Sequence, residues 1–243
     1  MTLFWTETWD ALAGVLFPTP CVSCERLIAA HDPPLCSLCW DRLPQIEGGE
    51  CRCGAPLPGS PAGPSDPECV RCRRGRSVIS RGASLGPYAG PLRACVVALK
   101  YHGRHKAADR LARRLFEKGR CRRVLEDADV MLGVPLHADR LAERGFNQAG
   151  LLAKGLARLS GTAVSTSLTR IRNTPSQTNL SARQRRRNMA DAFAVAEPRA
   201  ILNSVVVLVD DVATTGATLR ECARTLLLAG AREVRAITVA RAE

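Results

Sequence analysis

Aromatic residues are scarce in this 243-residue chain, at 4% of the sequence. So few ring faces count against a single-strand nucleic-acid binder that works mainly by base stacking. No apolar run approaches the roughly 18 residues of a membrane span, so no membrane insertion is expected. The opening MTLFWTETWDALAGVLF lacks the basic start of a secretory signal and carries Glu7 and Asp10 instead. A cytoplasmic protein is therefore the expectation. A GxxxxGK(S/T) phosphate loop is also missing, which removes the P-loop nucleotide hydrolases.

Acidic residues are in short supply, and unevenly so. The chain carries 35 Lys/Arg against 23 Asp/Glu, a net charge of +12. Residues 1–76 hold 7 basic and 9 acidic residues, whereas residues 77–243 hold 28 and 14. The basic excess thus belongs to the second part, which implies a polyanionic partner: a pyrophosphorylated sugar, nucleic acid or both. A solvated arginine-rich surface is the plainer alternative.

Cysteine, by contrast, is abundant, with 11 residues. Eight form close pairs: Cys21 with Cys24, Cys36 with Cys39, Cys51 with Cys53, and Cys69 with Cys72. Thiolates two residues apart reach one tetrahedral ion, so four pairs, with Cys51 and Cys53 one residue closer than the others, predict two structural zinc sites of four cysteines each. A disulfide framework would need an oxidising compartment. The spacing leaves open which pairs share an ion. All-cysteine sites are closed to substrate, so catalysis at the metal is not expected. Residues 18–76 are rich in Cys, Pro and Gly and have little core of their own, so metal would supply their folding energy. Arg71, Arg73, Arg74 and Arg76 crowd the last pair. Cys95 and Cys222 fall on apolar helix faces and read as packing. Cys121 lies among arginines, which predicts a lowered thiol pKa.

Trp5, Trp9, Leu12, Ala13 and Leu16 mark one face of a short helix over residues 1–17, ended by Pro18 and Pro20. From Ser80 the pattern turns regular. Strands are expected at Arg81–Tyr88, Asp129–Pro135, Leu168–Arg172, Ala192–Val195 and Val234–Ala240. Helices are expected from Gly90, at Ala107–Gly119, Arg140–Ser160 and Leu219–Ala229. Strands alternating with helices predict an α/β domain over 77–243 with a mostly parallel sheet.

The most informative stretch is VVVLVDDVATTGAT, Val205–Thr218. Val205–Val209 reads as a strand buried on both faces, and Asp210 and Asp211 stand at its carboxyl end. A small polar turn containing Gly216 then opens a helix, presenting free N–H groups and a positive dipole end to phosphate. Paired carboxylates suit ribose hydroxyls, or a magnesium ion already held by pyrophosphate. Strand, acid pair, T-T-G-x-T and helix together resemble the 5-phosphoribosyl-1-pyrophosphate (PRPP) loop of type I phosphoribosyltransferases.

Further signatures are LKYHGR (Leu99–Arg104), VPLHADRLAERGFNQA (Val134–Ala149) and LTRIRNTPSQTNLSARQRRRNMADAF (Leu168–Phe193). With the cysteine pairs they make nearly the whole chain similar to the ComF family, double-zinc-ribbon proteins with a phosphoribosyltransferase domain, named for a competence protein of bacterial DNA uptake. The resemblance implies that Asp210 and Asp211 hold the ribose hydroxyls, as the catalytic pair, that Thr214, Thr215, Gly216, Ala217 and Thr218 hold the 5′-phosphate, and that Val212 and Ala213 also line the PRPP site. It implies a pyrophosphate loop from Pro135, with Arg140 and Arg144 near it, and adds Lys100 from the first signature. Gln177, Arg185 and Asn188 would lie on a flap that closes over the site. The cofactors implied are Zn2+ and Mg2+ with PRPP.

Three functions are compatible with these features. The first is a PRPP-binding factor of DNA uptake or DNA metabolism whose basic face carries single-stranded DNA and which meets DNA-processing proteins. The second is a base or amine phosphoribosyltransferase of nucleotide salvage, although no base-recognising segment or general base is identifiable. The third is a zinc-ribbon scaffold that has lost its chemistry. The resemblance favours the first. The fold alone does not decide whether PRPP is turned over.

Overall fold

The computed structural model describes residues 19–28, 34–57, 59–60, 67–101, 106–173 and 191–242. The expected helix over 1–17, His102–Arg104, and the flap residues Gln177, Arg185 and Asn188 lie outside them.

The described residues begin with two small knuckles. The first contains β1 (Thr19–Pro20) paired antiparallel with β2 (Leu27–Ile28), then α1 (Ser37–Asp41). The second contains β3 (Gly49–Glu50) paired with β4 (Pro56–Leu57), then α2 (Val70–Arg73). The α/β part follows: β5 (Gly82–Pro87), α3 (Gly90–Tyr101), α4 (Lys106–Glu117), α5 (Gly119–Leu125), β6 (Val130–Gly133), α6 (Ala138–Arg144), α7 (Gln148–Ser160) and β7 (Ala163–Val164). The last elements are β8 (Leu168–Arg170), β9 (Phe193–Val195), β10 (Val205–Ala213), α8 (Ala217–Leu228) and β11 (Glu233–Arg241).

Five strands form one parallel sheet in the order β5-β11-β10-β6-β7. Residues of one strand alternate between its two faces. Val207, Val209, Ile237 and Val239 meet Leu99 of α3, Leu111 of α4 and Leu156 of α7. Val206, Leu208, Val234 and Ala236 meet Leu219, Cys222 and Leu226 of α8. From β6 the chain moves outward to β7, and from β10 it moves the other way to β11. The carboxyl ends of β6 and β10 therefore diverge, and such a reversal leaves the crevice in which α/β sheets bind ligands.

Several elements differ from the sequence expectation. The sheet strand at Val205 does not stop at Val209 but runs through both acids, with Asp210 opposite Thr238 and Val212 opposite Ala240. The apolar strand β11 alongside gives this extension a partner, and it draws Asp210 and Asp211 indoors, to 9% and 4% exposure. The single helix expected over Arg140–Ser160 is two helices. Gly145, at φ +78°, ends the first in a left-handed cap that a residue with a Cβ rarely adopts. Helix α5 has no counterpart in the sequence expectation, because its arginines obscure an apolar face of Cys121, Val124 and Leu125. Strands β8 and β9 pair with each other in a separate antiparallel ribbon rather than joining the sheet.

The cysteine-rich segment is fastened to the α/β core. Leu35 and Trp40 are buried in the same cluster as Leu92 and Leu99. Along the outer edge of β5, Cys53 forms a parallel bridge to Gly82, whose N–H donates to Arg52 O at 2.7 Å. A Cβ on Gly82 would stand 2.3 Å from Cys53 O, and one on Gly86 the same distance from Pro44 O, so glycine is what lets the two segments approach. Lys118 and Arg120 bind from the other side, Lys118 to Ser84 O and Leu85 O, Arg120 to Cys51 O.

Candidate functional site

At the carboxyl ends of β6 and β10 lies a cleft of about 370 Å³. Its walls include Asp210, Val212, Ala213, Thr214, Gly216, Ala217 and Thr218 from the β10–α8 connection, Pro135, Leu136 and Arg140 from the segment after β6, and Lys100, Tyr88, Gln148 and Arg170. Gly216 is left-handed at φ +68°, and no side chain caps α8. The first N–H groups of a helix have no partner within it, so this end of α8 offers donors to the cleft. Of the turn, Thr215 alone does not line the cleft; its Oγ1 is buried and finds no hydrogen-bond partner among the described residues. An orphaned hydroxyl beside an uncapped helix start fits a phosphate oxygen.

The two acids play different parts. Asp211 is held on both oxygens: Lys100 Nζ lies 3.0 Å from Oδ1, and Gln148 Nε2 donates to Oδ2 at 2.6 Å. Arg144 Nη1 in turn donates to Gln148 Oε1 at 2.7 Å, and its guanidinium lies 5.3 Å from the centre of the Tyr101 ring. Burial pulls the Lys100 pKa down, but the Asp211 carboxylate outweighs it and keeps the ammonium above its ordinary value. Asp210 takes the consequence of the arrangement. Burial first, and then the Asp211 charge, push its carboxyl up to about 8, against the pull of Asp211 N–H, Lys100 and Arg170. Two adjacent buried carboxylates do not both ionise easily.

The expected site residues thus divide. Lys100, Arg140, Asp210, Val212, Ala213, Thr214, Gly216, Ala217 and Thr218 face one cleft. Asp211 touches two of the lining residues, Lys100 and Gln148, and Arg144 joins it through Gln148. Arg185 lies outside the described residues.

The eight cysteines gather as two groups, Cys21, Cys24, Cys36 and Cys39, and Cys51, Cys53, Cys69 and Cys72, so consecutive pairs go together. Cys24 and Cys36 sulfurs are 3.7 Å apart, Cys51 and Cys53 3.5 Å, Cys53 and Cys69 3.9 Å. Four thiolates about 2.3 Å from one ion stand about 3.8 Å from each other, whereas a disulfide would bring sulfurs to about 2.0 Å. Backbone N–H groups of Cys36 and Cys69 point at Cys21 Sγ and Cys51 Sγ, at 3.4 and 3.2 Å. Each group can hold a metal ion. Cys121 departs from expectation: it is fully buried, and burial pushes its thiol up to about 12 despite neighbouring Lys118 and Arg120.

Residues 141–243 match the model of the phosphoribosyl transferase domain. The chain is 38% identical over 221 residues to the DNA utilization protein YhgH of Salmonella typhimurium, covering 89% of this chain and 94% of that protein. It is 29% identical over 228 residues to competence protein F of Haemophilus influenzae, covering 91% and 96%. The chain belongs to the ComF family. Competence protein ComFC of Bacillus subtilis is also 29% identical, over 217 residues, covering 86% of this chain and 85% of that one.

The ComF signature RGFNQA now has a physical reading. Gly145 caps α6, and Asn147 caps α7 by accepting from Ala149 N–H while its amide donates to Val134 O. Gln148 reaches Asp211, and Ala149 lies so close to Gly133 that a Cβ there would come within 2.6 Å of its carbonyl carbon. The sequence expectation contained Gln148 only as a motif letter, and Arg170 and Tyr88 not as site residues. Gln148 was discoverable from its place four residues after Arg144; Arg170 stands inside the Leu168–Phe193 signature but, like Tyr88, has no spacing that ties it to the acid pair.

The state of Asp210 makes stability depend on pH. Between its ordinary value of 3.8 and about 8 the folded chain keeps a proton that the unfolded chain has released. Raising pH through that window therefore lowers stability, by an amount on the order of 1 kcal/mol per pH unit at most, and outside it this group has no effect. Urea unfolding of the ligand-free protein at pH 5 and pH 8 should show the loss, with a smaller one in Asp210→Asn. An equal pH dependence in the variant would overturn the assignment.

Proposed function

We propose that this ComF protein binds PRPP with its magnesium ion in the β6–β10 cleft and serves bacterial DNA uptake or DNA utilization, as the names of its relatives imply for them. The observation that carries the reading is the buried acid pair beside the uncapped start of α8. In it the 5′-phosphate lies on the Thr214–Thr218 turn, the sugar hydroxyls face Asp210 and Asp211, and the pyrophosphate lies toward Pro135 and Arg140. Fixed cations and N–H groups stabilise the charge that grows on a departing pyrophosphate. Lys100 holds the Asp211 carboxyl in place, and Arg185 would approach from the flap. Saturating PRPP with magnesium should raise the melting temperature by roughly 5–10 °C, the size expected for ligand at about a hundred times its Kd on a chain of this length. Asp210→Asn, which mimics the neutral acid and should fold, is expected to abolish the rise. A full shift in that variant would end the role of Asp210, and no shift in the parent would end the PRPP reading.

The two cysteine groups are proposed as structural zinc centres, with residues 18–76 as the ribbon module between an N-terminal helix over 1–17 and the transferase domain of 77–243. Zinc there supplies a closed tetrahedral link and no open coordination position. Two zinc ions per chain are expected from metal analysis of reduced protein. Chelation should lower the melting temperature of the α/β part as well, because both share one core. Finding no metal, or an unaffected α/β transition, would contradict this.

The polynucleotide partner is proposed as single-stranded DNA, carried by phosphate contacts. Support comes from the charge of residues 77–243 and from exposed Arg113, Arg122 and Arg123 on α4 and α5. Affinity should fall with salt by roughly 0.7 log units per log unit of salt for each phosphate neutralised, and Arg122→Ala with Arg123→Ala should lower that slope by one to two contacts. Salt-independent binding would remove the DNA assignment; PRPP consumption with a single free base and no DNA binding would favour salvage instead.

A further inference from the structure

Gln148 is a buried amide, 5% exposed, set between a guanidinium and a carboxylate. An arginine can only donate and an ionised aspartate can only accept. The two partners therefore fix which way the amide faces: Oε1 toward Arg144, Nε2 toward Asp211. Asp211 in turn has Lys100 on Oδ1 and Gln148 on Oδ2, so its carboxylate plane is locked. A carboxylate offers about four acceptor positions, two of which these donors occupy. The remaining two are held in one orientation. Arg144 is itself restrained by the Tyr101 ring, so the chain of contacts runs from the end of α3, across α6 and α7, to the end of β10.

We propose that Gln148, oriented by Arg144, is a positioning residue that sets the selectivity of Asp211 for the vicinal hydroxyls of ribose over deoxyribose. The inference rests on the PRPP reading above. Hydrogen bonds to a fixed acceptor discriminate steeply against a ligand that lacks the hydroxyl, because the buried carboxylate is then left unsatisfied. Without Gln148 the carboxylate keeps its Lys100 partner on Oδ1 but is free to turn about its own bond. It then accepts whatever hydroxyl is present, and discrimination falls while phosphate binding at the α8 turn is untouched.

The test compares the dissociation constants of ribose 5-phosphate, its 2-deoxy and 3-deoxy analogues, and inorganic phosphate, measured by calorimetry on the full chain. The parent should prefer ribose 5-phosphate over at least one deoxy form by about tenfold, the worth of one well-made hydrogen bond to a charged group. In Gln148→Ala this ratio should drop toward one with the inorganic phosphate constant unchanged. Arg144→Ala should lose part of the ratio and Arg144→Lys, which still donates to Oε1, should restore it. A merely structural role would weaken all ligands together and would not distinguish lysine from alanine at 144. Circular dichroism checks that Gln148→Ala folds, and the Arg144 pair decides the matter if it does not. A parental ratio retained in Gln148→Ala or Arg144→Ala overturns the role of Gln148 alone. A parent that binds these sugar phosphates without discrimination overturns it as well, and a parent that binds neither PRPP nor any of them overturns the PRPP reading with it.

Discussion

Two neighbouring carboxylates are buried at the end of the central strand, and much of the molecule is arranged to make that tolerable. An isolated buried charge costs several kcal/mol unless it is paired and hydrogen-bonded. One charge is met by Lys100 at 3.0 Å and Gln148 at 2.6 Å, and the other is avoided by holding a proton. Those partners come from two separate helices, α3 and α7, so the acid pair at the end of β10 can exist only when the helices stand correctly on the sheet. The same requirement explains the break at Gly145. A continuous helix from Arg140 would not give α7 its own Asn147 cap, from which Gln148 starts toward Asp211.

The sequence is most legible where one local rule suffices. The alternation of strands and helices, the glycine that opens α8 and the cysteine pairs each follow from spacing within a few residues, and the parallel sheet and the two four-cysteine groups agree with them. What is harder to read involves partners far apart in the chain. Strand β10 looks finished at Val209 because two aspartates seldom belong to a buried strand, and only β11, about 28 residues later, supplies the pairing that carries it on. Cys121 shows the same limit in another way. Arginines beside it in sequence imply a lowered thiol pKa, but Arg122 and Arg123 are exposed while the sulfur is buried in the core.

Arg170 and Tyr88 reach the cleft from β8 and from just beyond β5. Neither lies within a recognisable spacing of the acid pair, since tertiary packing alone brings them there. The pairing of consecutive cysteines is likewise a matter of how the knuckles fold, and the spacing within the four pairs does not reveal it. Lys100 is the intermediate case: it stands inside a family signature, yet only the ion pair with Asp211 gives it a physical task.

The way the second knuckle meets β5 has a consequence for the life of the chain in a cell. An outermost strand left bare offers a row of N–H and C=O groups to any other extended segment. Here Arg52 and Cys53 take that place, and the loop that carries them is shaped by four converging thiolates. The opposite margin of the sheet is only the two-residue β7, too short to recruit a neighbour. Were the proposed metal lost, the margin laid bare would be the one long enough to recruit another strand, so self-association would accompany the loosening of the shared core.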